Sequence, residues 1–122
     1  MGYKMVFSDM DGTLLWKGIR LSVENYNAIR KVVDKGVDFV ICTGRMFDSI
    51  KFLLPKLSFC RYAITSMGAE IYDIIEQKRI YFKPLDNQYT MLLAEYALKN
   101  NVHMNIYIDD VLYTNSLDKY SE

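Results

Sequence analysis

The stretch Asp9-Met10-Asp11-Gly12-Thr13-Leu14 decides the fold, and only Ser8 separates it from the apolar run Met5-Val6-Phe7. The run shows no strict alternation of apolar and polar residues, which is typical of a strand that is covered on both faces. Asp, Gly and Thr then end the run with residues that favour turns. The sequence therefore predicts a short buried strand over residues 4–9 with an acidic loop at its carboxyl end.

The segments after this loop alternate between helix and strand. Ser22 is the predicted N-cap of the first helix. Apolar residues then recur at helical spacing, and Gly36 is the predicted residue just beyond the end of this helix. The pattern predicts helices over 23–35 and 46–54, the second ending near Pro55, and strands over 37–42 and 61–65. Strands joined through helices predict a parallel α/β sheet with right-handed crossovers, a Rossmann-like core in three layers.

The pattern changes after residue 65. Two runs, 70–74 and 79–82, flank a polar turn and predict an antiparallel hairpin. Asp86 is the predicted cap of a helix whose apolar face includes Met91, Leu92, Ala94, Tyr96 and Leu98. An alternating strand over 102–108 and a weaker one over 111–113 follow. The change of pattern predicts a first domain over residues 1–84 and a second over residues 85–122.

Composition excludes several classes of protein. The chain of 122 residues has 15 Lys+Arg against 15 Asp+Glu, and 51% of it is apolar, as in an ordinary globular domain. Balanced charge argues against nucleic-acid binding, and no apolar run is long enough to span a membrane. The two cysteines, Cys42 and Cys60, are too few for a disulfide scaffold, so we expect a reduced, cytoplasmic setting.

The acidic loop predicts phosphoryl chemistry only in combination with a second loop. Asp9 and Asp11 repel each other unless a cation or a shared proton offsets their charge, and hard carboxylate oxygens suit Mg²⁺. Alone, an Asp-x-Asp-Gly segment is more simply interpreted as a structural turn. The predicted neighbouring strand, however, ends in Thr43-Gly44-Arg45, whose hydroxyl and N–H groups suit a phosphoryl group.

Three segments together resemble a known family. Residues 9–15 resemble the first motif of the haloacid dehalogenase superfamily phosphatases, and Ile41-Cys42-Thr43-Gly44-Arg45 resembles the second. Residues 64–73 resemble the segment after the third strand in the Cof-like branch, which carries a large α/β cap. The resemblance covers almost the whole chain. It implies a Mg²⁺-dependent phosphatase, with the cap beginning at about residue 85.

The resemblance also implies the roles of the two acids. Asp9 is the expected nucleophile, which forms an aspartyl-phosphate and binds Mg²⁺ through its other oxygen. Asp11 is the expected general acid and base, and its backbone carbonyl is a second metal ligand. The expected substrate is a small phosphorylated metabolite, sugar phosphates being usual for this branch.

The remaining motif residues are expected to hold the phosphoryl group. Thr43 is expected to donate a hydrogen bond to a phosphoryl oxygen, helped by backbone N–H groups around Met10, Gly12 and Gly44. For Arg45 the resemblance leaves open whether the side chain faces the cap or substrate, or braces the loop electrostatically.

Two departures from the family pattern bear on activity. Met67 stands where the branch usually has Asn, which predicts a changed loop or substrate contact. The family's third motif, a Lys, and its fourth, an acidic pair, follow the cap. We find neither here, because Asp109-Asp110 is better explained as a turn in the cap.

These departures predict a truncated, incomplete protein. We therefore expect the isolated chain to be weakly active or inactive, binding at most metal or phosphate. The fourth-motif strand would lie beside the first strand, so we also expect an unpaired sheet edge and self-association.

Overall fold

The computed structural model describes residues 2–117, and its first compact unit ends at Lys83. In chain order, this unit contains β1 (Met5–Asp9), β2 (Leu15–Trp16), β3 (Arg20–Leu21), α1 (Val23–Val33), β4 (Asp38–Cys42), a 3₁₀ helix (Asp48–Leu53), β5 (Tyr62–Thr65), a second 3₁₀ turn (Ser66–Gly68), β6 (Glu70–Asp73) and β7 (Lys78–Phe82). A five-stranded sheet in the order β1-β4-β5-β6-β7 forms its frame.

The sheet contains both parallel and antiparallel strands. β1, β4 and β5 are parallel to one another, whereas β6 and β7 continue the sheet antiparallel. The parallel part is built from strand–helix–strand connections, and the predicted hairpin supplies the antiparallel part. The predicted α/β fold class with a parallel sheet is confirmed.

Apolar side chains from the sheet and its connections form the core of this unit. Its fully buried members include Met10, Ile41, Ile50, Leu57 and Cys60. Burial raises the pKa of the Cys60 thiol to about 12, as expected for a cysteine without polar surroundings. The acidic loop is thus anchored to the core through Met10, the residue between its two acids.

The helices of the first unit follow the predicted signals in part. Ser22 accepts a hydrogen bond from the Asn25 N–H at 3.1 Å, so the predicted N-cap of α1 is confirmed. The second helix, expected over 46–54, is present as a shorter 3₁₀ helix over Asp48–Leu53. Its bonds are of the i→i+3 type, such as the one from Ile50 N–H to the Phe47 carbonyl.

The buried carboxylates of the hairpin are paired and structural. Glu70 accepts a hydrogen bond from Arg79 at 3.0 Å, and Asp73 accepts one from Arg61 at 3.1 Å. The N–H group of Glu76, with Arg61, holds the pKa of Asp73 below its usual range against the effect of burial. These acids fix the hairpin and take no part in the candidate site.

The second compact unit begins at Pro84. It contains α2 (Asn87–Asn100), β8 (Asn105–Ile108) and β9 (Val111–Thr114). Asp86 caps α2 by accepting from the Gln88 N–H, as predicted, whereas β8 begins three residues later than predicted. Asp109 and Asp110 form the turn between β8 and β9, with φ of +48° and +64°, which confirms their structural role. That this unit is the start of a cap stays a prediction.

The predicted burial of β1 is wrong. Phe7 and Met5 on β1 are 59% and 41% exposed, although their apolar run predicted a strand covered on both faces. Most of the predicted apolar face of α2 is also exposed, because this helix carries apolar residues on all sides, and Ala97 is its buried residue. Neither helix in residues 2–117 combines the length and apolar character of a membrane span.

The exposed edge of the sheet generates the first testable prediction. Among the described strands, β1 pairs with β4 alone, so its outer edge presents unpaired backbone groups beside the exposed Phe7. We propose that the chain self-associates through this edge. A charge at its centre should oppose strand pairing, so Phe7→Lys should weaken association at least about tenfold, measured by light scattering over a concentration series.

The matched control is Leu92→Lys, which places the same charge on the exposed surface of α2. Leu92→Lys should leave the association constant unchanged. A monomeric wild-type chain, or dissociation caused by Leu92→Lys and not by Phe7→Lys, would contradict association through β1.

Candidate active site

The parallel pairing of β1 with β4 brings the two predicted motifs to one edge of the sheet. Asp9 lies opposite Cys42 in the register, so the loops that follow both residues begin at the same level. Asp11 in the first loop contacts Arg45 in the second. Ligands bind at this carboxyl-terminal edge in open α/β sheets. The predicted juxtaposition of the acidic loop with the Thr-Gly-Arg loop is therefore present.

The first loop is a tight turn that leaves Asp9 accessible. The N–H groups of Leu14 and Leu15 both donate to the Met10 carbonyl, at 3.1 and 2.8 Å, and Gly12 permits the turn with φ of +76°. The exposed Asp9 accepts one side-chain hydrogen bond, from Thr13 Oγ1 to Oδ2 at 3.2 Å. Its other carboxylate oxygen has no donor among residues 2–117, which suits a nucleophile or a metal ligand.

The Asp11 carboxylate is held at both oxygens by one guanidinium. Arg45 donates from Nε to Oδ2 at 2.9 Å and from Nη2 to Oδ1 at 2.6 Å. The same Nη2 also donates to the Gly18 carbonyl at 3.0 Å. Such bidentate pairs are shorter and more directional than a single contact. Of the alternatives left open for Arg45, the structure shows it bracing the loop.

Thr43 is almost fully buried beneath the second loop, with an exposed fraction of 8%. Its N–H donates to the Ile64 carbonyl, and its Oγ1 accepts from the Arg45 N–H at 3.1 Å. Because the hydroxyl oxygen acts as an acceptor here, the hydroxyl hydrogen stays available for a phosphoryl oxygen. The N–H group of Gly44, an exposed residue, finds no acceptor in the described part of the chain and is a second donor beside Thr43. The N–H of Gly12 instead faces the Leu15 carbonyl, in the isolated bridge between Asp11 and Leu15.

Met67 brings a third loop, after β5, to the same edge. A side chain added at Gly44 would place its Cβ 2.5 Å from Met67 Cε, so the thioether lies directly on this glycine. Met67 has φ of +56° in a row of three residues with positive φ, from Ser66 to Gly68. An unbranched apolar residue is unusual in that conformation, which Asn and Gly adopt more readily.

The sequence analysis missed a small antiparallel ribbon, which we call the flap (residues 15–21). β2 and β3 pair Leu15 with Leu21 and Trp16 with Arg20, around a turn at Lys17-Gly18. Lys17 and Gly18 have φ of +51° and +71°. Lys17-Gly18 between the apolar residues Trp16 and Ile19 was the available signal, but two-residue strands are too short for periodicity to show. The side chain of Trp16 is 68% exposed.

The oxygen atoms at this edge are of the kind that Mg²⁺ prefers as ligands. The Asp9 carboxylate and the Asp11 backbone carbonyl are hard oxygen ligands, and Mg²⁺ normally takes the rest of its shell from water and phosphate. Both Asp11 carboxylate oxygens are engaged by Arg45, so the carbonyl is the part of this residue left for a metal. Within residues 2–117 no group of three or more His, Cys, Asp or Glu side chains is arranged to hold a metal ion.

The pKa of the Cys42 thiol depends in part on the charge of Asp9. Burial raises the pKa of the Cys42 thiol, and the nearby Asp9 carboxylate raises it further. The side chain of Cys42 is half-buried at the end of β4. A thiolate beside a carboxylate is disfavoured, so this cysteine is a poor nucleophile.

Comparison with known proteins points to one family. Residues 6–122 match the model of the haloacid dehalogenase-like hydrolases. A Bacillus subtilis (strain 168) protein named 5-amino-6-(5-phospho-D-ribitylamino)uracil phosphatase YwtE is 36% identical over 109 residues, which are 89% of this chain and 37% of that protein. An HMP-PP phosphatase from Yersinia pestis (strain Pestoides F) is 27% identical, with coverage of 95% and 42%.

Solved structures agree with the fold. A haloacid dehalogenase-like hydrolase from B. subtilis superposes with a TM-score of 0.84 at 25% identity, over 96% of this chain and 41% of that one. The chain thus spans about two fifths of the length of the relatives and structures compared here.

The position of Asp9 beside Cys42 can be tested by alkylation. Asp9→Asn removes the negative charge that opposes thiolate formation, so iodoacetamide should react faster with Cys42 at pH 8. The increase should stay below about tenfold, which corresponds to one pKa unit, because burial is the larger cause of the shift. Mass spectrometry of the native protein should find Cys60 unmodified.

Asp38→Asn is the control, because it removes an exposed carboxylate at the opposite end of β4. Its Cys42 alkylation rate should equal that of the wild type. Equal rates in the wild type and Asp9→Asn would contradict the proximity of Asp9 and Cys42.

The backbone conformation of Met67 yields a stability prediction. Because Met67 is 89% exposed, Met67→Asn loses few contacts and gains a residue better suited to positive φ. The free energy of unfolding should rise by about 0.5–1 kcal/mol, measured by urea denaturation. The same substitution at the exposed, helical Met91 should lower it slightly, since Asn is a poor helix former. A loss of stability in Met67→Asn would show that its contact with Gly44 outweighs the backbone strain.

Proposed function

The chain belongs to the family of haloacid dehalogenase-like hydrolases, and we propose that its β1–β4 edge hydrolyses phosphoric monoesters of small metabolites in a Mg²⁺-dependent reaction. One observation supports the proposal. In the parallel register of β1 and β4, Asp9 pairs with Cys42, and Asp11 contacts Arg45 in the loop that carries Thr43 and the Gly44 N–H. Carboxylates for covalent and acid–base chemistry thus stand beside donors for a phosphoryl group.

In the first step, an Asp9 carboxylate oxygen attacks phosphorus. The P–O bond to the alcohol breaks, its electron pair leaves with the alcohol oxygen, and an aspartyl-phosphate forms. Asp11, in its protonated form, donates a proton to the leaving oxygen. The open carboxylate oxygen of Asp9 suits the attack, because no side-chain donor from residues 2–117 blocks it.

In the second step, water attacks the phosphorus of the aspartyl-phosphate. Asp11, now ionised, takes a proton from this water, and the Asp9–phosphate bond breaks to release inorganic phosphate. The ion pair with Arg45 suits this stage, because it fixes the orientation of the Asp11 carboxylate toward the water.

Donors around the phosphoryl group stabilise the charge that shifts during transfer. Thr43 Oγ1 keeps its hydrogen for a phosphoryl oxygen, and the N–H group of Gly44 supplies a further donor. The Asp9 carboxylate and the Asp11 carbonyl would hold Mg²⁺, which would supply positive charge to offset that of the phosphate. The relatives named above as phosphatases of small phosphorylated molecules support this class of substrate.

A second candidate function is binding without turnover. The described residues supply only two carboxylates at the site and no third acidic or histidine ligand nearby. Because the chain spans 37% of the length of one phosphatase relative and 42% of another, it matches only part of each. A site of this composition binds phosphate and weakly holds a metal, and it turns over slowly or not at all.

One experiment separates the two functions. The chain is incubated with p-nitrophenyl phosphate, with and without Mg²⁺, while nitrophenol release and phosphate on Asp9 are followed by absorbance and mass spectrometry. We expect slow, Mg²⁺-dependent phosphorylation of Asp9, which Asp9→Asn abolishes because the nucleophile is gone. The control, Asp48→Asn, removes an exposed acid of the 3₁₀ helix and should keep the wild-type rate.

Each other result has a definite meaning. Phosphate binding without phosphorylation of Asp9, measured by calorimetry, would favour the binding function. Neither binding nor phosphorylation would contradict both functions for this chain.

A further inference from the structure

We infer that Arg45 is a positioning residue, which holds the Asp11 carboxylate and the tip of the flap in one arrangement. This inference rests on the proposed function insofar as Asp11 acts as the proton donor and acceptor. Arg45 itself touches neither phosphorus nor its leaving group in this assignment. It acts through Asp11 and through the Gly18 carbonyl.

The geometry of the ion pair fixes the orientation of Asp11. Nε and Nη2 of Arg45 bind the two carboxylate oxygens at 2.9 and 2.6 Å, so the carboxylate cannot rotate without breaking a contact. Because the pair is partly exposed, the restriction on orientation matters more than the stability it adds. A single-point contact, such as a lysine makes, would leave the carboxylate free to turn.

Arg45 is itself anchored to two strands. Its N–H donates to Thr43 Oγ1 at the end of β4, and its carbonyl accepts from the Ser66 N–H at the end of β5, at 2.8 Å. The guanidinium therefore extends from a part of the chain that the sheet holds in place. An anchor of this kind can fix the more loosely held residues that it contacts.

The tip of the flap is closely fitted to Arg45. The Gly18 carbonyl accepts from Nη2 at 3.0 Å, and a Cβ on Gly18 would lie 2.9 Å from Nη2 and 3.4 Å from Asp11 Oδ1. With φ of +71°, Gly18 also has a conformation that other residues rarely adopt. Only a glycine lets the backbone approach the ion pair this closely.

The base of the flap is anchored, because Leu15 is buried in the core and Leu21 packs against it. The tip has few other means of support, since β2 and β3 share two residue pairs and the side chains of Trp16 and Ile19 are 68% and 66% exposed. A two-stranded ribbon of this size is unstable by itself. The contact of Arg45 with Gly18 therefore holds the tip of the flap beside Asp11, and losing Arg45 should loosen both.

The test follows the flap directly and needs no turnover. Trp16 is the only tryptophan of the chain, so its fluorescence anisotropy reports on the flap alone. Hydrogen exchange of a peptide covering residues 15–21 measures flap opening in the same samples. In Arg45→Gln we expect exchange about tenfold faster and a lower anisotropy, because three hydrogen bonds of a charged donor are lost.

Two variants control this experiment. Arg30→Gln breaks another exposed arginine–aspartate pair, with Asp34 on α1, and should leave flap exchange unchanged. Arg45→Lys keeps the charge without the bidentate geometry and should restore flap protection only in part. If Arg45→Gln fails to fold, Gly18→Ala tests the contact from the other side and should also speed exchange in a chain whose thermal unfolding stays cooperative.

Wild-type flap exchange in both Arg45→Gln and Gly18→Ala would overturn the inference, as would full recovery in Arg45→Lys. In a chain that turns over, Arg45→Gln should lower kcat for an alkyl phosphate more than for p-nitrophenyl phosphate, whose leaving group needs less protonation. Equal losses on both substrates would overturn the role of Arg45 toward Asp11. Absence of turnover in the wild type bears on the proposed function and leaves the exchange result standing.

Discussion

The in-register parallel pairing of β1 with β4 is the constraint on which the candidate site depends. With Asp9 opposite Cys42, two loops leave the sheet at the same level and must share the space above its edge. A shift of one residue would turn the side chains of β1 to the opposite faces of the sheet and separate Asp9 from the second loop. The buried Met10 and Ile41 oppose such a shift, because both lie fully inside the core.

This arrangement creates an electrostatic problem that the site solves locally. Asp9 and Asp11 leave the same strand end two residues apart, and a phosphate ester would add further negative charge. Arg45 offsets the charge of Asp11 through the bidentate pair, while Asp9 keeps an oxygen free for a cation or for phosphorus. The charges of the two acids are thus balanced by different means, which suits two acids with different roles.

Local signals in the sequence predicted several elements of the fold. The caps Ser22 and Asp86 and the turn at Asp109 depend on residues close by in the chain, so the sequence sufficed to place them. Bracing of the loop by Arg45 was predicted only as one alternative, and Asp11 was not predicted as its partner, because the contact joins residues 34 apart in sequence. The flap and the exposure of α2 could not be predicted, since they depend on which surfaces the tertiary fold leaves uncovered.

Arg45 also connects the two halves of the proposed chemistry. Its backbone N–H donates to Thr43 Oγ1 and so directs the hydroxyl hydrogen elsewhere, whereas its side chain orients Asp11. A phosphoryl group held by Thr43 and attacked by Asp9 needs its proton donor at the leaving oxygen, across the phosphorus from the nucleophile. Because one residue orients both Thr43 and Asp11, a displacement of the second loop would misplace the phosphoryl group and its proton donor together. The relative position of these two groups is therefore set by the covalent geometry of a single arginine.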